Sequence, residues 1–228
     1  LQVDIVSDEI HSEAVLFKIY DQHLTNYRPV IVESSFDTQD QWYVTKNSIR
    51  SAFDKFFQVK LFEIDISGRE NSTWVQPLIV EKFDPNGRIG LVFRVKDQAV
   101  QVLVQFKIEP GNPDVYQLSP TIQATRSNFL RFHGGTLPPF FDSFYSLGER
   151  KWTGILSEDG GRFFKKTNEV EIRQVEASAK VELPNLFYWV ESLLLKKVIA
   201  QGGRRVSIIN PHLRDTLLIL DSLDWETE

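Results

Sequence analysis

Three apolar runs broken by turn chemistry, residues 78–83, 89–95 and 99–108, constrain the fold more than any other feature of this sequence. Asp84-Pro85-Asn86-Gly87 stands between the first two, and Asn-Gly between apolar runs is a strong hairpin signal. Residues 95–98 offer the next turn. An antiparallel meander is the natural reading. Two further strands, 151–156 and 162–175, are joined by Ser157-Glu158-Asp159-Gly160-Gly161. The second alternates at Val170, Ile172 and Val175.

Helical spacing recurs on both sides of this block. Residues 9–24 bring Ile10, Ala14, Phe17, Tyr20 and Leu24 near one face. A helix over 41–57, capped by Thr38 or Asp40, would align Trp42, Ile49, Phe53 and Phe56. Ser119-Pro120 reads as a cap with proline at the first helical position, which predicts a helix over 121–132. A short proline-started helix is expected over 137–146. A longer one is expected over 186–199, between Pro184 and Gly202-Gly203, and a last one over 211–220. No linker or internal repeat divides the chain. The expectation is one α+β domain, 1–228, with helices packed on a mostly antiparallel sheet. Its parts are a helical N-terminal region (1–60), a sheet that carries the site (70–175) and C-terminal helices (184–222).

Composition narrows the chemistry. The 228 residues, 42% hydrophobic and 25% charged, suit an ordinary globular protein with a sizeable core. A net charge of −5 argues against nucleic-acid binding. The absence of cysteine excludes thiolate metal sites, cysteine nucleophiles and disulfides, and fits a cytoplasmic location. No apolar run reaches membrane-spanning length, and residues 1–10 lack the apolar core of a signal peptide. There is no dinucleotide fingerprint, no Walker lysine motif and no GxSxG elbow. His11, His23, His133 and His212 show no metal-ligand spacing. The chemistry is expected to run on carboxylates, histidine and arginine, with no metal and no bound cofactor.

Residues 107–135 concentrate the candidates. Glu109 sits where a strand turns into Pro110-Gly111-Asn112. It is either a working base or a solvated turn carboxylate. On the expected helix, Gln123, Ser127 and Arg131 recur every four residues, with Arg126 three from Gln123. That polar face suits an anionic or hydroxyl-rich ligand, although a lone arginine is usually a surface charge. His133 stands beside Gly134-Gly135, as a helix-end charge or as an acid–base group. Glu158 and Arg162 flank Gly160-Gly161, where a charged hairpin turn is the simpler reading. Lys165 and Lys166 read as solvated edge charges. Trp74 and Gln76 could pack structurally or meet a nucleotide base.

The blocks Trp74-Val75-Gln76-Pro77, 105–112 (QFKIEPGN) and 117–128 (QLSPTIQATRSN), followed by His133-Gly134-Gly135 and 157–163 (SEDGGRF), resemble the NDP-hexose 2,3-dehydratase family. The resemblance implies a fold related to the Nudix hydrolases, although the sequence lacks a Nudix box. It implies cofactor-independent removal of water across C2–C3 of an NDP-4-keto-6-deoxyhexose, dTDP-linked first of all. It puts Glu109 and His133 at proton transfer, with Glu158 in reserve and Arg126 or Arg162 on the enolate or the diphosphate. Lys107 is a further candidate there. Gln123, Asn128, Tyr116 and Asn112 would meet the sugar, and Trp74 and Gln76 the base and ribose. Family members carry two such modules, so a single module is expected to form a homodimer.

Overall fold

The computed structural model describes residues 8–27, 29–35, 41–52, 56–68, 73–82, 86–113, 115–132, 134–202 and 208–224. A two-residue strand, β1 (Glu9–Ile10), leads into helix α1 (Glu13–Asn26). Ser12 caps that helix through its hydroxyl, which accepts from Val15 N. Leu16, Phe17, Ile19, Tyr20 and His23 form its buried face.

The expected helix over 41–57 is absent from the described residues. Instead β2 (Trp42–Val44) and β3 (Ser48–Ser51) form a hairpin. The Thr45 hydroxyl fixes its turn by accepting from Ser48 N at 3.0 Å and Asn47 N at 3.3 Å. Strands β4 (Gln58–Asp65) and β5 (Thr73–Val80) complete a four-stranded antiparallel sheet, ordered β2-β3-β4-β5. Among the described residues the N-terminal region is therefore one helix followed by strands.

The second sheet begins at β6 (Asn86–Lys96) and β7 (Ala99–Ile108). A two-residue turn joins them, with Asp97 at φ 50° and Gln98 at φ 64°. The hairpin expected at Asn86-Gly87 does not form. β5 belongs to the small sheet, and β6 pairs with β7 and later strands. Residues 83–85 lie outside the described set.

Two short strands, β8 (Tyr116–Ser119) and β9 (Ile122–Ala124), stand where the helix over 121–132 was expected. Only α2 (Arg126–Phe129) is helical there. β6 and β7 pair from Val92–Leu103 to the turn and then diverge. β8 takes up the free half of β7, and β9 the free half of β6. Thr121 stitches the fork: its hydroxyl donates to Leu103 O at 2.6 Å and accepts from Val92 N at 2.9 Å. Long-range bonds thus override the Ser-Pro helix signal.

After a single 3-10 turn (Phe144–Ser146), the remnant of the helix expected over 137–146, come β10 (Glu149–Ser157) and β11 (Thr167–Gln174). The run 186–199 divides into a strand, β12 (Phe187–Glu191), and α3 (Ser192–Gln201). Four of the five β12 residues are buried, and Phe-Tyr-Trp-Val favours a central strand. Helix α4 (Pro211–Asp221) closes the chain as expected. The eight-stranded sheet runs β1-β12-β7-β6-β11-β10. β1 with β12 and β6 with β11 are parallel, and the other pairings are antiparallel.

One face of this sheet packs against α1, α3 and α4 through Leu16, Phe93, Phe106, Leu195 and Leu213. The other packs under Phe144, Phe187 and Trp189. Among the described residues no helix is long and apolar enough to cross a membrane.

Candidate functional site

The end of the large sheet opposite the β6–β7 turn gathers strand termini. β7 finishes there; β6 and β11 start there; β10 finishes there; and β8 begins across a turn from β7. Termini leave side chains free of sheet packing, so polar groups can converge.

At β7 the backbone closes tightly. Glu109 N donates to Val115 O at 2.6 Å, and Asn112 N donates to Glu109 O at 2.9 Å. Lys107 and Glu109, two apart on an extended chain, share a side, and Lys107 Nζ lies 2.7 Å from Glu109 Oε1. Both are about 30% exposed and open to a ligand.

Glu158, just past β10, is held by Asn168, whose Nδ2 donates to Glu158 Oε2 at 2.8 Å. Gly87 makes room for this bond, because a Cβ there would lie 2.3 Å from Asn168 Oδ1. His212 Nε2 stands 3.6 Å from Glu158 Oε2, with 18% of its side chain exposed. Its position is set by the start of α4, where the Asn210 side chain accepts from His212 N at 2.9 Å and Pro211 occupies the first turn. Asn210 is itself anchored to β8: its N donates to Leu118 O, and its Nδ2 to Gln117 Oε1. Lys166 Nζ pairs with Glu81 Oε1 at 3.2 Å.

Burial pulls the His212 pKa below its ordinary 6.5. Glu158 and Asp215 pull it up, while Lys166 and Lys107 push it down. The histidine therefore feels charges from three strand ends as well as its own helix.

The structure brings Lys107, Glu109 and Glu158 to this end of the sheet, together with His212, Lys166 and Asn168. The sequence alone does not single out His212 or Asn168, and Lys166 reads from it as a solvated charge. The helix expected over 211–220 puts His212 on a first turn. Nothing in the spacing tied that turn to Glu158.

Other candidates lie elsewhere. Trp74 Nε1 donates to Gln76 Oε1, and Gln76 Nε2 to Gly161 O at 2.6 Å. With Ile79 N on Arg162 O, they fasten the small sheet to the connection that carries Glu158. Arg162 is exposed and paired with Asp159 at 2.7 Å. The Gly161 N–H and Arg162 hold the Asp159 carboxyl below its ordinary value. Asn112 sits in the turn after β7, and Asn128 lies half-buried in α2. Gln123 is on β9, Arg126 opens α2, and Arg131 follows it at φ 54°, so the helical polar face does not exist. Gln123 Oε1 is buried with no hydrogen-bond partner among the described residues. Tyr116 is a core post rather than a sugar contact. It is 1% exposed, its hydroxyl donates to Tyr27 O, and its carbonyl accepts from the Tyr20 hydroxyl. His133 lies outside the described residues.

A cavity of about 1040 Å³ opens at the opposite end of the sheet, lined by Lys96, Glu149, Lys151 and Asp224 among others. None of the residues gathered above lines it. Among the described residues no group of three or more His, Asp or Glu is placed to hold a metal ion.

Solved structures with partial likeness include an ADP compounds hydrolase, 11% identical at TM-score 0.46 over 83% of this chain and 96% of that one. A Nudix hydrolase from M. smegmatis is 13% identical at TM-score 0.36, covering 71% of this chain and 94% of the other. Three curated relatives are named dTDP-4-dehydro-6-deoxy-alpha-D-glucopyranose 2,3-dehydratase. The one from Saccharopolyspora spinosa is 34% identical over 84% of this chain and 39% of the relative. That from Amycolatopsis orientalis is 36% identical over 83% and 40%. That from Streptomyces violaceoruber is 28% identical over 84% and 42%. The chain thus spans about two fifths of the length of the curated relatives it matches. The family model for NDP-hexose 2,3-dehydratase matches residues 16–220, nearly the whole described fold, and the chain belongs to that family.

Proposed function

We propose that the chain removes water across C2–C3 of an NDP-4-keto-6-deoxyhexose, with dTDP as the carrier named for its relatives. The observation that carries this reading is the meeting of Lys107, Glu109, Glu158 and His212 at one end of the fork, inside the family match. The reaction needs a base, a donor for an oxyanion and an acid, and these side-chain types supply all three.

The 4-ketone makes the chemistry possible without a redox cofactor. It acidifies the C3 proton, because the electron pair left behind delocalises onto the ketone oxygen. The enolate then expels the C2 hydroxyl, which leaves as water once protonated. The C2–C3 enol tautomerises to a 3,4-diketo-2,6-dideoxy sugar. Proton transfer falls to Glu109, His133 and Glu158, and enolate or diphosphate stabilisation to Lys107, Arg126 and Arg162. Gln123, Asn128 and Asn112 contact the sugar, and Trp74 and Gln76 the nucleoside.

Incubation with dTDP-4-keto-6-deoxyglucose in D₂O, followed by mass spectrometry, tests the proposal. Loss of water is expected. An unchanged mass with binding would mean a nucleotide-sugar-binding module, and deuterium uptake alone would mean an epimerase-type enolisation. A cytoplasmic location and a homodimer belong to the same proposal. Light scattering that finds only monomer would remove the homodimer.

A further inference from the structure

We propose that His212, facing Glu158, is the base that takes the C3 proton and the acid that returns it to the departing C2 hydroxyl. This rests on the dehydratase reading and, within it, moves both proton transfers from Glu109 and His133 to a residue that neither the sequence motifs nor the family resemblance singled out, leaving Glu158 to position it and Glu109 to aim Lys107.

Of the three described histidines, His212 is the one placed for this role. His11 is held between Glu9 and Glu191, at 3.2 and 2.9 Å, away from the fork's open end. His23 is 4% exposed in the core, against the Tyr188 hydroxyl at 3.1 Å and the Phe106 ring at 5.0 Å. His212 alone of the three stands among the convergent strand ends. Among the described residues neither of its ring nitrogens makes a hydrogen bond, and part of the ring is open.

The surroundings then fit the two halves of the step. Burial keeps the imidazole neutral near pH 7, which is the form a base needs. After it takes the C3 proton, the imidazolium faces Glu158 from β10 and Asp215 from its own helix, both of which favour that charge. Lys166, before β11, and Lys107, at the end of β7, oppose it, so the proton is readily given up again. Both lysines are paired, Lys166 with Glu81 and Lys107 with Glu109, but Lys166 is 8% exposed and Lys107 27%. Lys107 is therefore the ammonium available to the C4 oxygen as it becomes an enolate.

The balance closes. The C3–H bond breaks, its pair moves to the C4 oxygen, and the proton goes to His212. The enolate pair forms the C2–C3 double bond as the C2–O bond breaks. His212 protonates the leaving oxygen, water departs and the neutral ring is restored. One group acting twice requires the proton and the hydroxyl to leave from the same face.

The test compares wild type, His212→Asn and Glu158→Gln on dTDP-4-keto-6-deoxyglucose in D₂O. It reads water loss, deuterium at C3, binding by calorimetry and folding by circular dichroism. His212→Asn is expected to bind within a few-fold of wild type and to lose roughly 10²–10⁴ in both elimination and exchange. Glu158→Gln is expected to move the acidic limb of the pH–rate profile to lower pH, because the charge that raises the His212 pKa is gone; a purely structural role would not do this. Wild-type elimination and exchange in a folded His212→Asn variant would overturn the proposal. So would a His212 imidazole NMR resonance in the wild-type chain that ignores saturating ligand, a readout independent of how the variants fold. Exchange that depends on His212 without water loss would sink the dehydratase reading and leave the base assignment standing. Binding with neither water loss nor exchange would sink both.

Discussion

The two ends of the large sheet use the same side-chain types to opposite effect. Toward the β6–β7 turn, Glu9 receives Arg94 and Lys96, each at 2.6 Å, His11 at 3.2 Å and the Gln101 amide at 3.3 Å. Arg94 also lies over the Trp189 ring at 4.2 Å. Burial pushes the Glu9 pKa up, but hydrogen bonds from Lys96 and Gln101 and the charges of Arg94 and Lys96 outweigh it. The carboxyl is held at about 2. At the fork's open end each cation meets one carboxylate, and His212 meets Glu158 at 3.6 Å. A carboxylate surrounded by donors is a strut and cannot exchange protons near neutrality. A site that moves protons needs groups left short of partners.

That contrast is broken or sharpened first at Glu109. Glu109→Gln removes the anion that aims Lys107, and turnover is expected to fall roughly 10²–10³-fold. Because the Lys107–Glu109 pair is about 30% exposed, stability should change by less than about 1 kcal/mol. Steady-state kinetics and thermal unfolding on one preparation check both halves. Unchanged turnover with a large drop in melting temperature would make this end a strut as well.

Glu9→Gln is the mirror experiment. It should cost about 2 kcal/mol of stability, allowing for the carboxylate's residual exposure, and leave turnover alone. The folded pKa of about 2 lies below the ordinary 4.5. Its stabilisation is therefore complete above pH 4.5 and lost as pH falls from there toward 2. Denaturant unfolding across that window should show a steeper acid loss in wild type than in the variant. Parallel curves would mean that Glu9 is not the strut.

The two ends also differ in how far the sequence disclosed them. Lys107 and Glu109 were legible because strong turn residues follow them directly, and local chemistry decides a turn. The turn at Asp97-Gln98 and helices α1 and α4 were legible for the same reason. Ser119-Pro120-Thr121 misled, because its outcome rests on Thr121 bonding to Leu103 and Val92, distant in sequence. The run 187–191 misled because a short buried apolar segment has no period that separates strand from helix. Glu158 read locally as a turn charge and entered as a reserve carboxylate only through the family resemblance, and His212 read only as a histidine without a motif. Their meeting depends on Asn210 pinning α4 to β8, a tertiary fact.

Gly87→Ala probes how finely the open end is set. The new Cβ meets the end of the Asn168 side chain, which can swing aside, so the fold should survive. Asn168 would then release Glu158, and turnover should fall about tenfold, short of the 10²-fold that a 1 Å misplacement can cost. Calorimetry should show substrate binding close to wild type. Turnover equal to wild type would mean that Glu158 needs no holding.

The smallest effect is expected at Lys151, and it addresses the cavity of about 1040 Å³. Size alone would make that cavity the first choice for a ligand site. Its charges argue otherwise. Asp97, Glu149, Glu176 and Asp224 line it against only Lys96 and Lys151. Both lysines are engaged, Lys96 with Glu9 at 2.6 Å and Lys151 with Glu149 at 2.7 Å. A nucleotide diphosphate brings further negative charge to a wall already acidic, so the field has the wrong sign for it. Lys151→Ala should therefore leave turnover and substrate affinity unchanged and shift stability by under about 1 kcal/mol, as for other exposed ion pairs. A tenfold loss of affinity for the dTDP-sugar would reverse the comparison, making the cavity the binding site and the fork's open end the strut.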